Sequence, residues 1–247
     1  MKAVILAGGR GTRIAEESHL RPKPMVEIGG RPILWHIMKL YSHHGIRDFV
    51  VCLGYKGHVI KEYFANYCLY SSDVTVDMES KRVEFQSSRV EPWRVTLVDT
   101  GLHTLTGGRL KRVRQYLDGD DAFCVTYGDG VSDVDVAAAT RFHRTHGRMA
   151  TMTVVRPTAR FGATSVKDGQ VVEFKEKPDS GEGFVNGGFF VFSPRVIDLI
   201  DGDDTSLERT PLEKLVQLGQ LAAWEHPGVL ASDGHASGPR HAGAVVA

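Results

Sequence analysis

The sequence predicts a single α/β domain, and three observations predict it. Residues 2–7 (KAVILA) are an apolar run that ends in Gly8-Gly9, as a strand buried on both faces reads when it feeds a glycine loop. Strand and helix periods then alternate without a linker through the first half of the chain, a βαβα rhythm. Finally, 247 residues at 42% hydrophobic and 24% charged content are enough for one large domain with a sizeable core or for two small ones, and one is expected because the pattern runs on without a linker.

The elements follow in order. After the first strand, Pro32 opens a segment with Ile33, Leu34, Ile37, Met38 and Tyr41 at helical spacing, and Gly45 stops it after about three turns. DFVVCLG (48–54) is the second strand and HVIKEYFANY (58–67) the second helix. RVTLVDTG (94–101) is the third strand, TGGRLKRVRQYL (106–117) a glycine loop entering a basic helix, and AFCVTYGDG (122–130) the fourth strand. Beyond residue 148 the strands MATMTVV, VVEFKEKP and GGFFVFSP crowd together, followed by helices at 196–200 and 211–218. We read this as a second half of one sheet. The domain is expected to span 1–228. Residues 229–247 have no aromatic side chain and an excess of small ones, the composition of a disordered tail.

Composition excludes several function classes. A formal net charge of zero lacks the basic excess that nucleic-acid binding needs. Cys52, Cys68 and Cys124 stand at long spacings that fit neither a disulfide framework nor a Cys-X-X-Cys site, which places the chain in a reducing cytoplasm. The opening MKAVILAGG is too short for a signal peptide or a membrane span. No His-Glu-X-X-His motif occurs among the eleven histidines, and His43 and His44 sit at a helix end, where a cation suits the dipole.

Four groups of residues carry chemistry. In LAGGRGTRIAEESHLRPKPM (6–25) three glycines let backbone N–H groups approach an anion, and Arg10 and Arg13 add positive charge. The loop lacks the Gly-Lys-Ser/Thr of a P-loop, and Ile14 occupies the place of the third dinucleotide glycine. Triphosphate is its natural guest. Pro22 and Pro24 bracket Lys23 and are expected to hold it extended, presenting the ammonium from a stiff strut. In YGDG (127–130), Asp129 emerges from a buried strand between two glycines, a placement suited to Mg²⁺ with phosphate oxygens. TLTGGRLKR (104–112) sets Thr104 and Arg109 beside paired glycines at a helix start, where an anion is favoured. Glu176, Lys177 and Asn186, in FKEKP and NGGFF, offer the carboxylate, ammonium and amide that a phosphorylated sugar requires.

These groups, in this order, resemble the sugar-nucleotide pyrophosphorylases. RPKPMVEIGGRPILWHIMKLYSHHGI, GYKGHVIKEYFANY and VEPWRVTLVDTG are similar to the branch of cytidylyltransferases that act on glucose 1-phosphate, and the likeness runs from Met1 to Gly228. The resemblance implies a Rossmann-like fold with a mixed, mainly parallel sheet flanked by helices. It implies that Leu6, Ala7, Gly8, Gly9, Arg10, Gly11, Thr12, Arg13 and Lys23 bind a nucleoside triphosphate, that Thr104, Arg109 and Gly128 contact the nucleotide, and that Asp129 holds Mg²⁺. Glu176, Lys177, Asn186 and Gly187 are implied for glucose 1-phosphate. The implied reaction joins CTP and glucose 1-phosphate into CDP-glucose and pyrophosphate for nucleotide-sugar biosynthesis of the deoxyhexose or O-antigen type, in a cytoplasmic homo-oligomer. Arg13, Lys23 and Asp129 would carry catalysis, no general base being needed because the attacking phosphate is already an anion. Phosphate-binding residues carry no information about the base, so thymidylyl or uridylyl transfer fits the same loop.

The family continues after His-Pro-Gly with a segment like Phe-Trp-Gln-X-Met-Asp-Thr-Leu-Arg-Asp, whose first aspartate is a second metal ligand. This chain has Gly234 in that slot and Asp233 one position early. One synonymous spelling of VLASDGHA, read one base later, encodes Phe-Trp-Gln-Ala-Met-Asp-Thr. The expectation is therefore a single-base shift of frame near the Gly228 codon. A chain that truly ends in this tail is expected to assemble poorly and to be a weak enzyme, or a nucleotide-binding protein without turnover.

Overall fold

A computed structural model describes residues 1–9, 21–86, 90–156, 163–167, 170–175, 184–228 and 230–232. Its centre is a seven-stranded sheet of β1 (Ala3–Leu6), β2 (Asp48–Leu53), β5 (Arg94–Asp99), β6 (Phe123–Tyr127), β8 (Ala150–Val155), β9 (Val185–Phe192) and β10 (Leu221–His226). The order across the sheet is β10-β8-β9-β6-β1-β2-β5. Every neighbour pair is parallel except the two made by β9, which runs against both β6 and β8. Outside the sheet lie a hairpin, β3 (Asp73–Asp77) with β4 (Arg82–Gln86), and the short pair β7 (Gly130–Ser132) with β11 (Leu230–Ser232).

The parallel strands are apolar on both faces because both are covered. Ala3, Ile5, Phe49, Val51 and Leu53 face one way, against Ile33, Leu34, Ile37, Met38 and Tyr41 of α1 (Ile33–His43). Val4, Leu6, Val50, Cys52, Phe123 and Val125 face the other, where Leu110, Val113, Val196, Ile197 and Leu215 cover them. The alternation along β1 and β2 is the period of a strand seen from two sides, so a continuous apolar run is what this position demands. Two of the three strands expected after residue 148 join the sheet, as β8 and β9, but VVEFKEKP does not: Gln170–Lys175 pairs only with Ala163–Lys167 in a separate hairpin, and β10 takes the remaining place at the sheet edge.

Helix ends explain most boundaries. α1 starts after Pro32 (φ −59°, ψ 148°), and Gly45 adopts φ +84° just beyond its end. α2 spans Gly57–Ala65, α3 Thr106–Arg112, α4 Val136–His146 and α5 Thr210–Gln217. Sequence reading passed over α4, although its signals are present. Asp135 caps it, its Oδ1 accepting the Ala138 N–H at 2.8 Å, the buried positions Val136, Ala139, Thr140 and His143 share a face, and Gly147 stops it at φ +66°. The hairpin β3–β4 and the edge strand β10 were also missed. The expected helix at 196–200 is a 3-10 segment, Pro194–Leu199.

Two expectations need correction. Gly107 and Gly108 do not form a loop before the helix: they are inside α3. They are small because a Cβ on Gly107 would lie 2.8 Å from the Thr205 carbonyl oxygen, and one on Gly108 2.6 Å from the Asp203 backbone. His44 does cap the end of α1, but its surroundings favour the neutral ring over a dipole-stabilising cation. Burial pulls its pKa below the ordinary histidine value, against the opposing pull of Asp135.

Candidate active site

The chain places β2 and β5 on one side of β1 and then crosses to lay β6 on the other, so the sheet's topological switch point lies between β1 and β6. In such sheets the crevice beyond the carboxyl ends of the strands binds ligands. Here β1 runs out into Ala7-Gly8-Gly9 and β6 into Gly128-Asp129. A cavity of about 350 Å³ opens at that edge, lined by Leu6, Ala7, Gly8, Gly9, Lys23, Pro24, Thr104, Leu105, Thr106, Arg109, Tyr127, Gly128 and Asp129. Nine of the residues singled out from the sequence thus share one wall.

Gly128 is a glycine for a local reason: a Cβ there would come 3.0 Å from Pro24 Cγ and 3.2 Å from Ala7. Lys23 reaches across the cavity, its Nζ 3.7 Å from Asp129 Oδ2, with the lysine side chain mostly buried and the carboxylate 45% exposed. Lys23 is not the extended strut expected from its flanking prolines. Pro22 is extended, but Lys23 opens a 3-10 turn, Lys23–Met25, held by Met25 N–H to Pro22 O and Val26 N–H to Lys23 O. The proline fixes the turn and the buried Pro24 and Met25 anchor it, so the ammonium is still presented from a rigid base.

Arg109 is 4% exposed. Its Nη1 donates to Leu53 O at 2.9 Å and to Thr100 Oγ1 at 2.7 Å, and its Nη2 donates to Gly8 O at 3.1 Å. One guanidinium therefore ties together the carboxyl ends of β1, β2 and β5. It lies so close that a Cβ on Gly8 would fall 2.1 Å from Nη1, and one on Gly54 2.6 Å. Gly8 is thus required first by this arginine. All three acceptors are neutral, so a buried positive charge stands at the cavity wall, and burial pulls its pKa down.

The amide-rich start of α3 is not free for an anion, contrary to expectation. The Gly107 and Gly108 N–H groups both donate to Thr205 O, at 2.9 and 3.2 Å. Its basic residues are likewise engaged, Arg112 with Asp203, and Lys111 with Ile200 O and Asp201 O.

On the strand next to β6, Asn186 and Gly187 lie on β9, where the register with β8 slips between Met152 and Val154. Asn186 Oδ1 accepts the Gly188 N–H at 2.8 Å, Gly188 adopts φ +77°, and Thr126 Oγ1 donates to Gly188 O at 2.9 Å. A bulge beside a site re-aims its side chains. Neither residue lines the cavity, but the Tyr127 ring spans the gap, lying over Gly188. Arg10, Gly11, Thr12, Arg13, Glu176, Lys177, Asp233 and Gly234 fall outside the described residues. The cavity wall also holds Tyr127, Thr106 and Leu105, which stand inside YGDG and TLTGGRLKR but are not among the residues expected there from the sequence.

Fold and site together define an α/β protein with a phosphate-suited cavity at the switch point of its sheet. The chain belongs to the nucleotidyl transferase family, whose profile matches residues 2–223. It is similar to the glucose-1-phosphate cytidylyltransferases of Salmonella typhimurium and Salmonella typhi, 61% identical over 228 residues in each case, or 92% of this chain and 89% of each relative. Among solved structures, its fold is like that of HddC from Yersinia pseudotuberculosis (TM-score 0.67, 23% identity, covering 94% of this chain and 93% of that one). It is also like a UDP-glucose pyrophosphorylase complexed with UDP-glucose (TM-score 0.66, 15% identity, 94% and 93% covered).

Proposed function

We propose that the chain transfers a cytidylyl group from CTP to glucose 1-phosphate, releasing pyrophosphate and CDP-glucose. The observation that carries this reading is the cavity at the β1/β6 switch point, with Lys23, Arg109 and Asp129 around it, in a chain so similar to two cytidylyltransferases. An oxygen of the sugar phosphate attacks the α-phosphorus of CTP, the bond from that phosphorus to the bridging oxygen of pyrophosphate breaks, and the electron pair leaves with pyrophosphate. Both reactants are anions, so the protein's work is to hold them in line and offset charge, worth several kcal/mol in such reactions.

Leu6 to Gly9, with Arg10, Gly11, Thr12 and Arg13 beyond them, take the triphosphate in this reading. Lys23 offsets charge on it, while Thr104, Arg109 and Gly128 bound the nucleoside side. Glu176, Lys177, Asn186 and Gly187 take the hexose phosphate. Mg²⁺ fits the donor set, because a half-exposed carboxylate beside a phosphate cradle is what that ion uses, with one or two protein carboxylates and the rest water and phosphate oxygen. Asp129 would hold it, and when bound it would neutralise phosphate charge.

The reading also makes the chain a cytoplasmic homo-oligomer. None of the helices among the described residues is long and apolar enough to cross a membrane, and the three cysteines are free thiols. Assembly is supported by the hairpin, whose cross-strand pairs Val74–Phe85 and Val76–Val83 share one face. Val76, Val83 and Phe85 are more than half exposed there, and a lone two-stranded hairpin is marginal without cover. The deciding experiment offers CTP, UTP, dTTP and ATP side by side with glucose 1-phosphate and Mg²⁺. Preference for CTP is the expected result; preference for UTP or dTTP would reassign the base.

A further inference from the structure

Beside the cavity wall stands a solvent-exposed carboxylate that none of these roles uses. Glu208 stands just before α5. Its Oε1 accepts the Tyr127 hydroxyl at 2.7 Å, and its Oε2 accepts Thr106 Oγ1 at 2.7 Å and Ser206 Oγ at 2.6 Å. Thr106 Oγ1 in turn accepts the Leu207 N–H at 2.9 Å. Burial alone would push the Glu208 carboxyl up, but the bonds from Ser206, Tyr127 and Thr106 outweigh it and hold the pKa below the usual range, so the group is ionised. Hydrogen bonds to an ionised acceptor are short and about twice as strong as neutral ones.

Two of the three donors, Tyr127 and Thr106, line the cavity. Tyr127 immediately precedes Gly128-Asp129. Its ring packs edge-on against Phe190 of β9, with centroids 6.2 Å apart, and a Cβ on Gly188 would meet it at 3.0 Å. The ring is therefore the piece of wall between the nucleotide end of the cavity and the β9 bulge carrying Asn186 and Gly187. Packing fixes the plane of a ring more firmly than its position along a wall. A phenol hydroxyl tied to a carboxylate fixes both.

We propose that Glu208 is a positioning residue for the transfer reaction, setting through Tyr127 and Thr106 the separation between the nucleotide end of the cavity and the β9 bulge. The proposal rests on the reading of the site given above. In an in-line displacement this separation decides whether the attacking oxygen reaches the α-phosphorus, and a misplacement of about 1 Å costs on the order of 100-fold in rate.

The test uses the full chain labelled with 3-fluorotyrosine. It has seven tyrosines, and Tyr127→Phe identifies the ¹⁹F resonance of Tyr127. Glu208→Ala is expected to move or broaden that resonance while the tyrosines remote from the cavity keep theirs. An unmoved Tyr127 resonance overturns the proposal. If Glu208→Ala does not fold, the same comparison on Glu208→Gln, which keeps one acceptor oxygen, decides it. In kinetics, Glu208→Ala should raise KM for glucose 1-phosphate by about tenfold and lower kcat, while CTP affinity by titration changes less than about threefold. Glu208→Ala/Tyr127→Phe should be little worse than the worse single variant, as coupled sites behave. Equal losses for both ligands, or effects of the two substitutions that multiply, would overturn it. If the parent chain makes no nucleotide sugar, the proposed function fails and the catalytic part of this inference with it, while the ¹⁹F comparison separately shows whether Glu208 holds Tyr127 in place.

Discussion

Lys23 Nζ and Asp129 Oδ2 stand 3.7 Å apart on the cavity wall. A phosphate entering the cavity beside them meets a preset positive charge, so the lysine's contribution belongs to the reaction and little of it to the fold. Lys23→Ala is expected to lower kcat by at least about 100-fold, the scale seen when a preorganised charge or donor is removed, with a melting temperature close to the parent's. Near-normal turnover would remove Lys23 from the mechanism. Gly8 behaves oppositely. A Cβ there would fall 2.1 Å from the Arg109 guanidinium, so Gly8→Ala must displace an arginine that holds three strand ends. We expect a loss of about 1–3 kcal/mol in denaturant unfolding, together with weaker CTP binding. Unchanged stability would show that the arginine moves at no cost.

At the scale of elements, α4 is pinned to β8 through two histidines that share one hydroxyl, His143 Nδ1 at 2.9 Å and His146 Nε2 at 2.7 Å from Thr151 Oγ1. Burial, helped by His146, pulls the His143 pKa down to about 4 from the ordinary 6.5. The unfolded chain therefore takes up this proton first as pH falls. The contribution is complete above pH 6.5 and lost between about 6.5 and 4, amounting to about 3 kcal/mol at most. The unfolding free energy should decline across that window, and His143→Gln should flatten the decline; an equal slope in both proteins would contradict this. The same helix shows what was legible in the sequence. Its cap, buried face and stop were all present at Asp135, Val136, Ala139, His143 and Gly147, yet a surface polar enough to read as loop obscured them. The parallel strands were plain because burial on both faces leaves an unbroken apolar run. Gly107 and Gly108 misled for a different reason. Glycines chosen for close helix packing look, in one dimension, like glycines chosen for a ligand. Gly8 and Gly128 were found correctly beside the cavity, but the neighbours that exclude a side chain there, Arg109 and Pro24, lie 101 residues from the first and 104 from the second and carry no local signal.

Over the whole molecule, one edge of one sheet gathers the chemistry while the hairpin on the other flank leaves apolar surface open. Phe85→Glu is expected to shift the assembly toward monomer in light scattering, and an unchanged mass would place the interface elsewhere. β11 adds a further link, since Leu230–Ser232 pairs with β7, the strand directly after Asp129, so residues 230–232 lie beside that end of the cavity. Whether the codons from Val229 onward preserve the family's frame is settled by sequencing the locus; a clean gene whose other frame lacks the Phe-Trp-Gln and Met-Asp codons would end that idea. In the proposed reaction this cavity brings a sugar phosphate to the α-phosphorus of CTP. Incubation of the purified chain with CTP, Mg²⁺ and glucose 1-phosphate carrying ¹⁸O in its phosphate tests it most directly. CDP-glucose with the label at the sugar-linked phosphate and unlabelled pyrophosphate is the predicted outcome. No CDP-glucose, or label in the pyrophosphate, would contradict it.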